Sequence, residues 1–268
     1  MTHKQLVGQL KTALRAFLQV HLPATPLFQR TPAVANDASR YFQSKDAIVE
    51  RQGNYLQSAA SFSVQDGPLL YLRVSSLKPV KLLSFPDALD ATEHGQLCPF
   101  SQERGSSTMV VNSFGAISYN AIEDQNQVLS ATQLFKNGEL WGFNAYLPKP
   151  VNQPSAAPGM WAREMETAYI RSLPRYVEFL RAQLKFEPPF EIEAGLSFAR
   201  KLSFYVTNDQ ATSVWGPFLK DEVIIRERLS TATKEDIDRA LLKIFEGFFE
   251  AVGKRRPQSF NKFPELRR

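Results

Sequence analysis

Apolar side chains along the chain follow two periods, one helical and one extended. Leu6, Leu10, Leu14, Phe17, Leu18 and His21 recur at helical spacing over residues 3–21, with Lys4, Lys11 and Arg15 on another face and Pro23 and Pro26 closing the element. Pro23, Pro26 and Pro32 make residues 23–36 a loop. Asn36-Asp37 is then placed to cap a second helix through Tyr41, Phe42, Ile48 and Val49, with its end at Gly53-Asn54. A third helix is predicted over residues 160–185 from the stripe Trp161, Met165, Tyr169, Leu173, Val177, Leu180 and Leu184; Pro174 kinks or restarts it, and Pro188-Pro189 stops it. The last begins at an acidic variant of the capping box, Thr233-x-x-Asp236, and carries Ile237, Leu241, Ile244, Phe245, Phe248 and Val252 to a stop at Gly253.

Between these helices the apolar runs are short and rich in strand formers. Leu69 to Val74 is predicted as a strand, preceded by the turn Asp66-Gly67-Pro68 and followed by Lys78-Pro79. Pro86-Asp87-Ala88-Leu89 starts a short helix, and Gln102 to Thr108 is an exposed loop. Met109–Asn112, Ala116–Tyr119, Ala131–Phe135 and Leu140–Tyr146 form a meander, with Asn137-Gly138 as a two-residue hairpin turn. Phe190–Phe198 and Leu202–Val206 read as strands around a short turn, and Glu222–Arg226 as another.

The order of elements predicts an α+β fold: an antiparallel or mixed sheet with packed helices, and amphipathic helices at both ends. Four prolines between Pro148 and Gly159 make that segment an extended connector. It separates an N-terminal part, residues 1–147, from a helix-strand-helix part, residues 160–268, or else joins two portions of one continuous domain. There is no repeat of solenoid length.

Composition narrows the class. At 268 residues, 43% hydrophobic and 22% charged, the chain can bury a full core, and its single cysteine, Cys98, excludes a disulfide scaffold and a cysteine-based zinc site. Arg73, Lys78 and Lys81 interrupt the most apolar stretch, so no run reaches the roughly 20 residues of a membrane span. Lys11 and Arg15 likewise break any signal-peptide core. A cytoplasmic protein without a membrane partner is expected.

Charge changes the picture more. Residues 1–36 carry +4, residues 37–253 carry −4, and residues 254–268 carry +5, against +5 for the whole chain. Basic ends on an acidic body point to nucleic acid or to an acidic partner surface, the alternative being solubilising ends. The candidate phosphate-binding residues are Lys254, Arg255, Arg256, Lys262, Arg267 and Arg268 in the tail and Lys4, Lys11 and Arg15 in the first helix. Phe260 and Phe263 between the tail cations can stack on bases, or can pin the tail to the body.

Catalytic signatures are sparse. The chain lacks GxxxxGK[ST], GxGxxG, GxSxG and HExxH, and no motif calls for a cofactor or a metal. His94 and Cys98 form the one local pair of soft ligands and would need a third from afar. Asp87, Asp90 and Glu93 fall on one helical face with spacing suited to magnesium or simply to a solvated surface. Glu191 and Glu193 share a strand face ahead of Arg200 and Lys201, faintly like the carboxylates and lysine of a metal-dependent nuclease.

Three segments carry a resemblance: Leu70-Tyr71-Leu72-Arg73-Val74; the stretch from Ser130 to Gly138; and Leu173-Pro174-Arg175-Tyr176 through Pro188-Pro189-Phe190. Taken in order, over about residues 65–260, they resemble the region C-terminal to the Schlafen/AlbA-type putative DNA-binding domain of some bacterial proteins. The resemblance implies a bacterial cytoplasmic accessory region, in regulation or phage defence, and carries no functional residue across. The expectation is therefore a non-enzymatic nucleic-acid-associated module that binds nucleic acid through its basic ends or docks on a partner protein. Its alternatives are a protein-interaction scaffold subunit and a metal-dependent nuclease.

Overall fold

The computed structural model describes residues 49–51, 60–64, 67–102, 107–112, 114–122, 127–148, 158–200, 202–207, 212–257 and 260, all within the unit Ala35–Arg268. The predicted helix over residues 3–21 and the loop after it lie outside the described residues. The described residues form, in chain order, strands β1 (Val49–Arg51), β2 (Ala60–Val64) and β3 (Leu69–Ser76), helix α1 (Phe85–His94), strands β4 (Thr108–Asn112), β5 (Gly115–Ile122), β6 (Gln127–Phe135), β7 (Leu140–Asn144) and β8 (Gly159–Trp161), helix α2 (Ala162–Ala182), strands β9 (Phe190–Ser197), β10 (Ser203–Thr207), β11 (Thr212–Trp215) and β12 (Val223–Leu229), and helix α3 (Lys234–Ala251).

Nine strands make one sheet in the order β1-β2-β6-β7-β3-β9-β12, with β5 also on β6 and β4 beyond β5. Its pairings are antiparallel except for β2 on β6. Because β3 lies between β7 and β9, strands from either side of residues 148–159 share this sheet. A smaller sheet, β11-β10-β8, holds the remaining strands.

β3 is buried on both faces, which explains its nearly unbroken apolar run. Leu70, Leu72 and Val74 face a large core with Leu173, Tyr176 and Val177 of α2 and Leu241, Ile244, Phe245 and Phe248 of α3. Leu69 and Tyr71 face a second core with Trp141, Phe143, Phe135, Tyr119 and Ile117. Each fully buried phenylalanine of α3 contributes about 1.5–3 kcal/mol relative to exposure, so the amphipathic pattern alone is enough to dock the helix.

The element ends follow local chemistry. α1 starts with a complete capping box, in which Ser84 Oγ accepts from Asp87 N–H while the Asp87 carboxylate accepts from Ser84 N–H. α3 uses half of one: Thr233 Oγ1 accepts from Asp236 N–H, but the Asp236 carboxylate accepts from the N–H and hydroxyl of Thr231 instead of closing the box. α2 runs as one helix through Pro174, and Trp161 lies ahead of it in β8 as the N-cap instead of inside the helix.

Three local expectations change. Val49–Arg51 form β1, with Val49 opposite Phe62, instead of continuing the second predicted helix toward Gly53-Asn54; its residues 36–48 lie outside the described residues. The β6–β7 turn sits at Asn137-Gly138 as predicted, but Phe135 N–H donates to Glu139 O and Gly138 N–H to Phe135 O, giving a three-residue loop in which Gly138 alone takes a positive φ, +78°. Asn137 holds this register by accepting from Glu139 N–H and donating to the Glu139 carboxylate. Finally, β9 and β10 are both present but do not pair: the chain turns out of the large sheet at Phe198–Leu202, where Ala199 N–H donates to Asp221 O, and enters the small one.

Candidate nucleic-acid interface

The basic C-terminal segment leaves α3 through two backbone bonds, Gly253 N–H to Glu250 O at 2.8 Å and Lys254 N–H to Phe249 O at 3.0 Å, the pair that defines a Schellman ending. Lys254 and Arg255 follow, both exposed. The next residue turns inward. Arg256 Nε donates to Glu166 Oε1 and Nη2 to Glu166 Oε2, each at 2.9 Å, and Nη2 also donates to the Phe260 carbonyl at 2.6 Å. Its guanidinium sits 5.5 Å from the Phe245 ring centroid and 5.6 Å from that of Phe260.

Both partners of this fork are buried, with side-chain exposures of 5% for Arg256 and 7% for Glu166. Burial pushes the Glu166 carboxyl above the usual glutamate range, and the two hydrogen bonds and charge of Arg256 only partly offset it. Phe260 packs edge-on against Phe249 of α3 at 5.8 Å. Arg256 thus anchors the segment, with three of its five N–H donors bonded to the protein. Of the other candidates, Lys4, Lys11, Arg15, Lys262, Arg267 and Arg268 lie outside the described residues, as does Phe263.

Of the carboxylates considered for metal chemistry, Asp87 and Glu193 are held by hydrogen bonds within the protein. Asp87 accepts from Ser84 Oγ at 2.6 Å and caps α1, and those hydrogen bonds hold its carboxyl below the ordinary range. Asp90 and Glu93 are exposed on the same helix, and the Asp90 carbonyl is bonded to His94 Nδ1 at 2.8 Å. Cys98 Sγ donates to the Gln96 carbonyl at 3.2 Å. His94 and Cys98 do share the rim of a cleft of about 300 Å³, together with Ser172, Arg175 and Glu178 of α2. Among the described residues no group of three or more His, Cys, Asp or Glu side chains could hold a metal ion.

Glu193 belongs to a row of polar side chains crossing the sheet face opposite α2 and α3. Cross-strand register places Gln133, Trp141, Arg73, Glu193 and Arg226 side by side on β6, β7, β3, β9 and β12. Arg226 Nε donates to Glu193 Oε2 at 2.8 Å, and Arg73 Nε to Glu139 Oε2 at 2.8 Å. Burial raises the Glu193 carboxyl, with Arg226 opposing. This carboxylate is the acid of a structural ion pair; Glu191 stands exposed one register step away, and Lys201 lies outside the described residues.

No protein-family model, curated protein or solved structure matches the chain.

Sequence reasoning misses the Glu166 fork, the Arg73–Glu139 pair and the place of β12 at the end of the large sheet among the described residues. The first two have a visible trace: Arg73 interrupts an apolar strand, and Glu166 falls among the core positions of α2, where a lone charge requires a partner. What the sequence withholds is which of the 32 cations serves it.

Proposed function

We propose that the chain is a non-enzymatic nucleic-acid-associated module that contacts phosphate through its basic C-terminal segment. The observation that carries this reading is the Arg256 fork: by tying the segment to Glu166 and to the Phe260 carbonyl, it holds Lys254 and Arg255 at a set place on the surface. Cations held in place lose less conformational entropy on meeting a phosphate than cations on a loose tail. The +4, −4, +5 division of charge supports the same reading, since the acidic body would turn the basic ends toward a polyanion.

The test is fluorescence anisotropy of the full chain with labelled duplex DNA, single-stranded DNA and structured RNA across a salt series. Point variants serve better than truncation, because cutting at Gly253 also removes Arg256 and Phe260 from the core. The expected result is binding that weakens steeply with salt, with a slope that drops by about 0.9 for each lost contact to B-DNA in Lys254→Gln and Arg255→Gln. Absence of binding at low salt, or binding indifferent to the double variant, overturns the reading.

A further inference from the structure

β12 is the last strand of the large sheet: it pairs with β9 on one side, and among the described residues nothing pairs with its other edge. Beside that edge, α3 and β12 enclose an open groove of about 920 Å³. Its floor is set where the helix meets the strand, since a Cβ on Gly247 would stand 2.6 Å from Ile225 Cγ1, so only glycine allows this approach. Leu219, 68% exposed, and Ile224, 39% exposed, offer apolar surface at its rim.

The charge of the groove selects its occupant. Asp221, Glu227, Glu246 and Glu250 line it beside Lys220 and Lys243, while Glu222 and Arg226, which also line it, have partners within the protein. On the opposite face of β12, Arg228 stands in register with Glu191, opposite charges on neighbouring strands. The excess of carboxylates lies on the helix side. A second copy of β12 fits poorly, because antiparallel pairing centred on the strand brings Arg226 opposite its own copy, and like charges directly opposite are destabilising.

We infer that the β12–α3 groove docks an extended segment of a partner protein as an added strand, with lysine or arginine at alternate positions facing Glu227, Glu246 and Glu250 and apolar residues between them. Main-chain hydrogen bonds along β12 supply the affinity, and the carboxylates select the sequence. This docking goes beyond the phosphate-binding reading, whose Lys254 and Arg255 follow the same C-terminal end of α3 but do not line the groove.

The test uses the full chain and two synthetic eight-residue probes, one alternating lysine and valine and one alternating glutamate and valine, with binding followed by fluorescence polarisation. The lysine probe is expected to bind and to lose at least tenfold in affinity to Glu246→Lys/Glu250→Lys, a variant at two exposed helix positions. The glutamate probe is expected to bind only that variant, a reversal that an unfolded variant cannot produce. N-methylation of alternate backbone amides should abolish binding of the lysine probe. Failure of the lysine probe to bind, indifference to the charge reversal, or indifference to N-methylation overturns the inference, as does a concentration-dependent dimer that Glu246→Lys/Glu250→Lys disrupts.

Discussion

Arg73 and Trp141 lie opposite each other on β3 and β7 and donate to the same oxygen, Glu139 Oε2, each at 2.8 Å, while the Arg73 guanidinium sits 5.1 Å from the Trp141 ring centroid. The three side chains form one unit: the ring stacks on the cation, and the carboxylate satisfies both donors. Glu139 can reach them only because the three-residue loop sets it immediately before β7.

Removing Glu139 should therefore cost more than an exposed ion pair would. With side-chain exposures of 16% for Arg73 and 14% for Glu139, Glu139→Ala leaves a largely buried guanidinium and an indole N–H without their acceptor. The expected loss is about 2–4 kcal/mol in guanidinium chloride unfolding, with much of it recovered in Arg73→Met/Glu139→Leu. A loss below about 1 kcal/mol would place the unit with ordinary surface pairs.

The two buried glutamates give the protein a specific pH dependence. Burial raises both Glu166 and Glu193 above the ordinary glutamate range despite their arginine partners. A carboxyl with a raised folded-state pKa binds its proton more tightly in the native chain, so its contribution to stability is fully present below the unfolded value and is lost as pH rises through the folded value. Unfolding free energy should accordingly decline across the window that opens at the ordinary glutamate pKa of about 4.3 and extends to the raised values. Glu166→Gln and Glu193→Gln should each flatten that decline, as read from denaturation midpoints at a series of pH values. A profile unchanged in both variants would assign the dependence to other groups.

Much of the sheet was legible because its signals are local. The two-faced burial of β3 appears as a continuous apolar run, and Asn137-Gly138 marks the hairpin. The turn type was not legible, since Asn137 and Gly138 fit either loop and the choice rests on the bonds between Asn137 and Glu139. The candidate site was less legible for a related reason. Arg256 reads as one of a run of three cations until its partner is known, and Glu166 lies 90 residues away on α2. Glu193 and Arg226 likewise become a pair only when β9 and β12 come into register. Charge pairing of this kind depends on topology, whereas apolar periodicity does not.

Gly138 tests the loop directly. Its φ of +78° disfavours any side chain, and a Cβ there would stand 2.2 Å from Cε2 of Phe186, so the substitution meets both backbone strain and a ring packed against the core. Gly138→Ala should destabilise by about 1–3 kcal/mol, in the range of a positive-φ glycine with a steric neighbour. Asn137→Ala, which removes the side-chain bonds to Glu139 and leaves Gly138 in place, should cost about 1 kcal/mol. Equal effects of the two would mean that the Phe186 contact adds nothing.

The Arg256 fork separates anchoring from contact. Arg256→Lys keeps the charge but replaces two parallel N–H bonds with a point donor, and it cannot also bridge to the Phe260 carbonyl in the same plane. It should lower stability by about 1–3 kcal/mol in chemical denaturation, because Glu166 then stays buried with a poorer partner. Lys254→Gln/Arg255→Gln should leave stability within about 0.5 kcal/mol, since both side chains are exposed. In nucleic-acid binding the order reverses in kind: the exposed pair should reduce the salt slope, whereas Arg256→Lys should reduce affinity with the slope retained, because the phosphate-facing charges remain and only their placement is lost. If Arg256→Gln, which removes the charge, lowers the slope as the exposed pair does and leaves stability unchanged, Arg256 is itself a phosphate contact and the anchor role fails.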